Sequence, residues 1–527
     1  MYKVLFAGSV HPSGLDILDN SGLIERLGPY TQQRDFLAQL PLADALIVQS
    51  QMVVDWELLR RAERLKVLIR AGARLDHIDI EGATRLGILV GHVPDTFVTS
   101  IAEHTFALLL SLARHLPQNL AGWQKAEPLQ PILGFELAGK TLGLVGFGNI
   151  ARQVARRALA FGMHVHTYDP YIPPDSARSE GVRLVSLAEL LANSDILSLH
   201  ATYRTREDCI VNADTLSKVK VGCYLINAAD ARLIDEAALE RALANGKIAG
   251  VALDGVQNTQ ANQDHSLCRF PQVILSPNLN QSTIEAQTRT SIAVAQQCLQ
   301  ALTAKDYINF VNLPFTAEVT YAKFRPYLEL AEKMGKVQGY LAEQNWITQL
   351  EVEVHGEGLQ NLVRPIATAL LKGMLRPLGD RVINYANAPL IASEQGIQTK
   401  QSVGLPSVNY PNMISCRVHW TGGSQTLSGV LFADGEARIV QYSNIAVDVR
   451  PKGYILILEN QDVPGVIGKV GTLLGKHQVN IGEWRYGRDY SGGKAISFIN
   501  LDSYCPSKVL QLLQAEPEIY SAKLLKL

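Results

Sequence analysis

The chain is short of several things, and each shortage excludes something. Only six of its 527 residues are cysteine. Cys209, Cys223, Cys268, Cys298, Cys416 and Cys505 are scattered, and no two of them form a Cys-x-x-Cys pair. That usage fits a reducing cytosol, with most thiols buried as small apolar groups, and it offers no metal site. Neither charge is in excess: 49 Lys and Arg stand against 50 Asp and Glu, for a formal net charge of −1. Nucleic-acid and membrane partners leave a basic excess or stripe, so neither is expected. Long apolar runs are missing too. The most apolar stretch, Phe106 to Ala113, is flanked by Glu103, His104 and Arg114. It falls short of the ~20 residues that span a bilayer and predicts a buried helix. Tyr2 to Ala7 predicts a buried first strand, not a targeting segment. There is no low-complexity segment and no internal repeat.

What is present is ample apolar content, 47% of residues, enough for several cores. Domains of ~100–200 residues predict three or four units. Short apolar runs such as Ala45 to Val48 and Val67 to Ile69 alternate with helical patterns. This rhythm predicts a doubly wound α/β architecture with parallel strands buried on both faces. It is clearest from Thr141 to about Ser282, with strands expected at 142–145, 165–168, 196–199, 223–226, 250–253 and 273–275. Beyond Val311 to Pro314 the pattern changes. A helix is expected from about Arg325 to Glu343, then an alternating strand at 350–354. A small α/β unit is expected from Gly453 to Leu527.

Gly146-Phe147-Gly148-Asn149-Ile150-Ala151 fits G-x-G-x-x-G/A. It follows an expected strand, opens an expected helix, and precedes an acid, Asp169, at the next strand end. That context makes it a dinucleotide fingerprint. Gly146 permits the tight turn, Gly148 lets backbone approach a pyrophosphate, and Ala151 allows close helix–strand packing. The pyrophosphate would rest on the helix N-terminus. Asp169 would accept from the adenosine ribose and disfavours a 2′-phosphate, so NAD is expected over NADP.

Around this loop, Gly139-Lys140-Thr141-Leu142-Gly143-Leu144-Val145-Gly146-Phe147-Gly148 resembles the signature of the D-2-hydroxyacid dehydrogenases. The likeness is closest to the long type of D-3-phosphoglycerate dehydrogenase and covers nearly the whole chain. Arg70-Ala71-Gly72 resembles the substrate loop. Ala369 to Gly373 and Tyr410-Pro411-Asn412 resemble the intervening domain of the long enzymes. Asp462 to Gly471, with Val479-Asn480-Ile481, resembles an ACT domain. The resemblance implies a discontinuous substrate domain, residues 1–97 plus 284–312. It implies a Rossmann-like NAD domain at 98–283, an α+β intervening domain at 313–450, and a ferredoxin-like ACT unit at 451–527. His200, Ala228 and Asp254 would line the cofactor pocket with Asn149 and Ile150. Asn460, Asp462 and Asn480 would hold a small amino-acid ligand, or the unit would serve as a plain dimer contact. A cytoplasmic homo-oligomer, dimer or tetramer, is implied.

Oxidation of a 2-hydroxy acid needs a base for the hydroxyl proton, a carboxylate behind that base, and an arginine for the substrate carboxylate. The resemblance places these groups at Asn278, Thr259 and Asp230, where this chain has none of them. The sequence also carries Gln49 in place of a phosphate-binding arginine. Arg74, His77 and Arg232 are candidate replacements, and Asp230 could pair with Arg74 or Arg232. Three readings stay open: an NAD-binding relative without the usual turnover, a repurposed pocket for another small carboxylic acid, or an ordinary dehydrogenase of serine biosynthesis with an atypical site.

Overall fold

The structure is a computed structural model. It describes the chain except residues 31, 50–51, 125–131, 204–208, 256–264, 317, 343–345, 376–381 and 406–408, and of 121–124 only the backbone. The described residues form two compact units. One contains Met1–Ser9, Leu18–His92 and Val294–Leu527; the other contains Val10–Ile17 and Val93–Ala293.

The second unit is built on a sheet of seven parallel strands. Their order is Val273–Ser276, Ile248–Asp254, Cys223–Asn227, Ile196–Leu199, Thr141–Val145, His164–Tyr168 and Arg183–Leu184. Order reverses between Thr141–Val145 and Ile196–Leu199, so this is a doubly wound sheet with its switch point there. Ile196–Leu199 is buried at every position, because helices cover both faces of a parallel sheet. The helix Val98–Ala113 contains the apolar run expected to be buried, and Phe106, Leu108, Leu109 and Leu112 pack in the core below the phosphate loop. Helix starts follow local chemistry: Ser186 and Asp235 cap theirs by accepting from Glu189 N and Ala238 N, which satisfies backbone donors the helix cannot use.

The first unit holds three sheets. One is parallel, in the order Ile24–Leu27, Tyr2–Ala7, Ala45–Gln49, Val67–Ala71, Leu89–His92. A six-stranded mixed sheet runs Gln398–Gly404, Ile347–His355, Met413–Trp420, Gly423–Leu431, Ala437–Tyr442, Ile445–Val449. The helices Tyr321–Leu341 and Val363–Met374 pack together beside it. Gly335 and Gly373 lie at their crossing, where a Cβ would collide with the carbonyls of Leu370 and Glu332 respectively. The first of these helices begins earlier than the expected Arg325. Tyr321 is buried among Tyr307, Phe315 and Tyr385, and that packing outweighs the preference of Pro326 for a first helical turn. The last sheet is antiparallel, ordered Ile481–Arg488, Lys494–Leu501, Tyr454–Gln461, Ile519–Lys526. With the helices Val466–Lys476 and Ser507–Gln514 it makes a βαββαβ, ferredoxin-like unit whose core includes Leu456, Leu458, Val470 and Leu474. Among the described residues no helix is long and apolar enough to cross a membrane.

Candidate functional site

The carboxyl ends of the seven parallel strands gather most of the predicted site. The strand Thr141–Val145 turns at Gly146, whose φ is +92°. A Cβ there would stand 2.9 Å from the His200 carbonyl oxygen. Glycine is therefore required twice, by torsion and by the close approach. Gly148 caps the helix Asn149–Ala160, and a Cβ on it would meet nothing within 4 Å. The loop is open on that side. The first helical bond runs from Arg152 N to the Gly148 carbonyl, 3.0 Å. The N–H groups of the turn before it have no intrahelical partner, and with the helix dipole they form an anion cradle. Ala151 is fully buried, and Ile150 packs partly against the core. Asn149 donates from Nδ2 to Asp95, 2.8 Å.

Asp169 follows the strand His164–Tyr168. Its Oδ2 accepts from Phe147 N at 2.8 Å, and its Oδ1 from Tyr171 N at 2.9 Å. The carboxylate thus ties the phosphate loop to the next strand end, and each oxygen keeps a further lone pair for a ribose hydroxyl. These residues fit a dinucleotide: an open glycine, a free helix N-terminus and an acid at the right strand end. His200 lies on the far side of the switch point. Its ring contacts Ser198 Oγ at 2.9 Å, and burial pushes its pKa down to about 4, so the imidazole is neutral at pH 7.

The next two loops are built differently. At the end of Cys223–Asn227, the buried Asn227 accepts from Ala229 N and donates to the Asp230 carbonyl, 3.0 and 2.8 Å. Asp230 then caps a short turn, Ala231–Leu233, and receives three hydrogen bonds from Arg232: backbone N at 3.0 Å, Nε at 3.0 Å and Nη2 at 2.7 Å. The Arg232 guanidinium also lies over the Tyr203 ring, 4.5 Å from its centroid. Of the two pairings left open for Asp230, this one is formed. Arg74, in the other unit, pairs with Asp76 on an exposed loop that also carries the exposed His77.

Asp254 ends the strand Ile248–Asp254, and its side chain is completely buried. It accepts from Ser276 Oγ at 2.6 Å, Leu279 N at 2.9 Å and Asn280 N at 3.1 Å, and His104 Nε2 stands 3.5 Å away. Burial opposes its ionisation. The hydrogen bonds from His104, Ser276 and the two backbone amides outweigh burial and hold the carboxyl below its ordinary pKa. The carboxylate therefore works as a clamp on the loop 278–280. Within that loop Asn278 has a left-handed backbone, φ 56° and ψ 52°, a conformation asparagine tolerates better than most residues. Asn280 is buried and donates to the Ala228 carbonyl at 2.9 Å, and its own carbonyl accepts from Ser100 Oγ at 2.6 Å. Ser276 and Ser100 were not picked out in the sequence. The polar run Ser276-Pro277-Asn278-Leu279-Asn280 was the available signal. Thr259 lies outside the described residues.

In the C-terminal unit, Asp462 accepts from Tyr486 Oη, Arg488 Nη1 and Gly492 N at 2.7, 2.9 and 3.0 Å. These hydrogen bonds lower its pKa to about 2. Asn480 donates to Asp502, and the buried Asn460 to the Gln461 carbonyl. The expected ligand loop thus has internal partners for each of its three polar groups. Among the described residues no cluster of three or more His, Cys, Asp or Glu could hold a metal ion.

Comparison with known proteins places this geometry. Residues 106–279 match the family model for the NAD-binding domain of D-isomer-specific 2-hydroxyacid dehydrogenases, and residues 323–443 match that for the D-3-phosphoglycerate dehydrogenase intervening domain. The D-3-phosphoglycerate dehydrogenase of Bacillus subtilis is 34% identical over 528 residues, covering 100% of both chains. That of Methanocaldococcus jannaschii is 34% identical over 529 residues, again covering 100% of both. The chain belongs to the long D-3-phosphoglycerate dehydrogenase family. Among solved structures, a glyoxylate reductase from Paecilomyes thermophila superposes with TM-score 0.53 and 27% identity, covering 59% of this chain and 98% of its own. A D-lactate dehydrogenase from Aquifex aeolicus, complexed with NAD and lactic acid, gives TM-score 0.50 and 29% identity, covering 57% and 96%. The cofactor of the seven-stranded domain is NAD.

Proposed function

We propose that this protein binds NAD(H) on its seven-stranded domain but does not oxidise 3-phosphoglycerate at the rate of an ordinary family member. The observation that carries the reading is the pair of loops ending in Asp230 and Asn278. By resemblance, these positions belong to the substrate-binding arginine and the proton-accepting histidine. Asn278 can orient a hydroxyl but cannot take its proton at neutral pH. Asp230 places a negative charge where a substrate carboxylate would need a positive one. Loss of a general base costs ~10²–10⁴ in rate, loss of an electrostatic donor ~10²–10³, and the two do not simply add. When bound, NAD supplies the hydride acceptor; the chain's own residues hold its phosphates, clamp the loop through Asp254, and exclude charge from His200.

A second reading is favoured by the Arg232 guanidinium, which Asp230 and Tyr203 hold in one orientation. In this reading Arg232, its Nε and Nη2 already held by Asp230, marks a pocket repurposed for a small carboxylic acid other than 3-phosphoglycerate. We also infer a cytoplasmic homo-oligomer, dimer or tetramer. Leu110, Leu116 and Leu120, on the helices Val98–Ala113 and Leu116–Gln124, are exposed apolar groups that a second copy would cover.

The test is paired. NADH fluorescence titration of the pure protein should show binding, and 3-phosphoglycerate-dependent NADH formation should run at least roughly a hundredfold below that of the Bacillus subtilis relative. Turnover within about tenfold of that relative would overturn the proposal. Turnover with another 2-oxo acid would favour the second reading.

A further inference from the structure

A doubly wound sheet takes a dinucleotide across the point where its strand order reverses. Asp169, after His164–Tyr168, is the acid that suits the adenosine ribose, and the loop 146–148 suits the phosphates. The nicotinamide half therefore crosses to the other side of the switch point. There it runs over the carboxyl ends of Ile196–Leu199, Cys223–Asn227 and Ile248–Asp254. These ends lead to His200, Ala228 and Asp254. The one hydrogen-bonding group on a nicotinamide ring is its carboxamide, a primary amide that needs acceptors for two N–H groups and a donor for its oxygen.

At that place the chain supplies a primary amide of its own. Asn280 is buried, and its Nδ2 donates to the Ala228 carbonyl at 2.9 Å. Its backbone is pinned on both sides. The N–H donates to Asp254 at 3.1 Å, and the carbonyl accepts from Ser100 Oγ at 2.6 Å. Asp254 is no easier to reach, since its side chain is completely buried beneath donors from Ser276, Leu279 and Asn280. The Asn280 Oδ1 is buried as well and meets no donor among the described residues. The amide is thus held through its nitrogen alone.

We propose that Asn280 is a specificity-determining residue whose side chain stands in the slot for the cofactor's carboxamide. The two groups are the same in chemistry, so the Ala228 carbonyl that would accept from one accepts from the other. With the slot filled, the nicotinamide ring gains no directed hydrogen bond there, and the domain grips NAD by its ADP-ribose half. This inference rests on the reading of the seven-stranded domain as an NAD site without ordinary turnover. It adds a cause to Asp230 and Asn278: the ring that accepts hydride is held less firmly.

Isothermal titration calorimetry of the full chain with NAD, ADP-ribose and 3-acetylpyridine adenine dinucleotide tests this. The last of these carries a methyl ketone in place of the carboxamide and so lacks its N–H groups. All three should bind the unaltered chain within about threefold of one another. Asn280→Ala empties the slot and should make NAD bind about tenfold tighter than either of the others, the worth of one or two neutral hydrogen bonds. Asn280→Leu keeps the slot filled with a side chain of similar size and should leave the three affinities alike. A merely structural effect of losing the amide would instead move both variants together, and that result would overturn the proposal. If the unaltered chain binds NAD about tenfold or more tighter than the other two, the proposal fails while the NAD reading stands. That outcome is decided even where a variant does not fold. If none of the three binds, the proposal fails together with the reading on which it rests.

Discussion

Gly146 and Asp230 stand on the same edge of the same sheet, and their loops make an instructive pair. The loop around Gly146 leaves its groups available: a helix N-terminus without intrahelical partners, and a glycine at 148 that faces open space. The loop around Asp230 uses its groups internally, in three hydrogen bonds from Arg232. Next to it, Asp254 spends its carboxylate on the loop that carries Asn278. The first loop presents its groups outward, while in the others the polar groups bond one another. Cofactor binding and the proposed change of reacting groups therefore rest on different loops.

The largest test of that contrast is restoration. Asp230→Arg combined with Asn278→His should raise 3-phosphoglycerate oxidation by on the order of a hundredfold, measured as initial NADH formation. No gain would mean that the loops, and not only their end residues, have diverged. Next, Gly146→Val should weaken NADH binding roughly a hundredfold by fluorescence titration. Valine strains the +92° torsion and meets the His200 carbonyl. An unchanged affinity would remove the phosphate loop from the site.

A smaller effect is expected at Asp254. Asp254→Asn should lower unfolding free energy by about 2–3 kcal/mol in urea at pH 7, because charge-assisted bonds to Ser276, Leu279 and Asn280 are lost. The sign with pH follows from its lowered pKa. This contribution is full above the unfolded value of about 3.9 and is lost as pH falls through the folded value below it. The gap between Asp254→Asn and the unaltered chain should therefore narrow below about pH 4. A gap that stays constant would show that the clamp does not depend on charge. The smallest effect is expected at Arg74→Ala. Its pair with Asp76 is exposed, with side chains 52% and 41% accessible, so stability should change by less than about 1 kcal/mol. NADH affinity should not change.

Much of this arrangement was legible in the sequence. Gly146, Gly148 and Ala151 were readable because a dinucleotide loop demands small residues at fixed spacing between a strand and a helix. The parallel strands were readable as unbroken apolar runs, since burial on both faces removes alternation. The true start of the helix Tyr321–Leu341 was not, because distant aromatic partners of Tyr321 decide it. Nor was the clamp: Asp254 read as a pocket-lining acid, and only the pairing of Ile248–Asp254 with Val273–Ser276 brings it under the amides of Leu279 and Asn280.

By itself the sequence determined the doubly wound domain and its cofactor loop, because each depends on residue type at short range. The tertiary structure alone decided which acid holds which base, and that Asp462 and Asn480 find partners within their own unit. Those outcomes depend on residues tens to hundreds of positions apart meeting at set distances, and no local pattern encodes such distances.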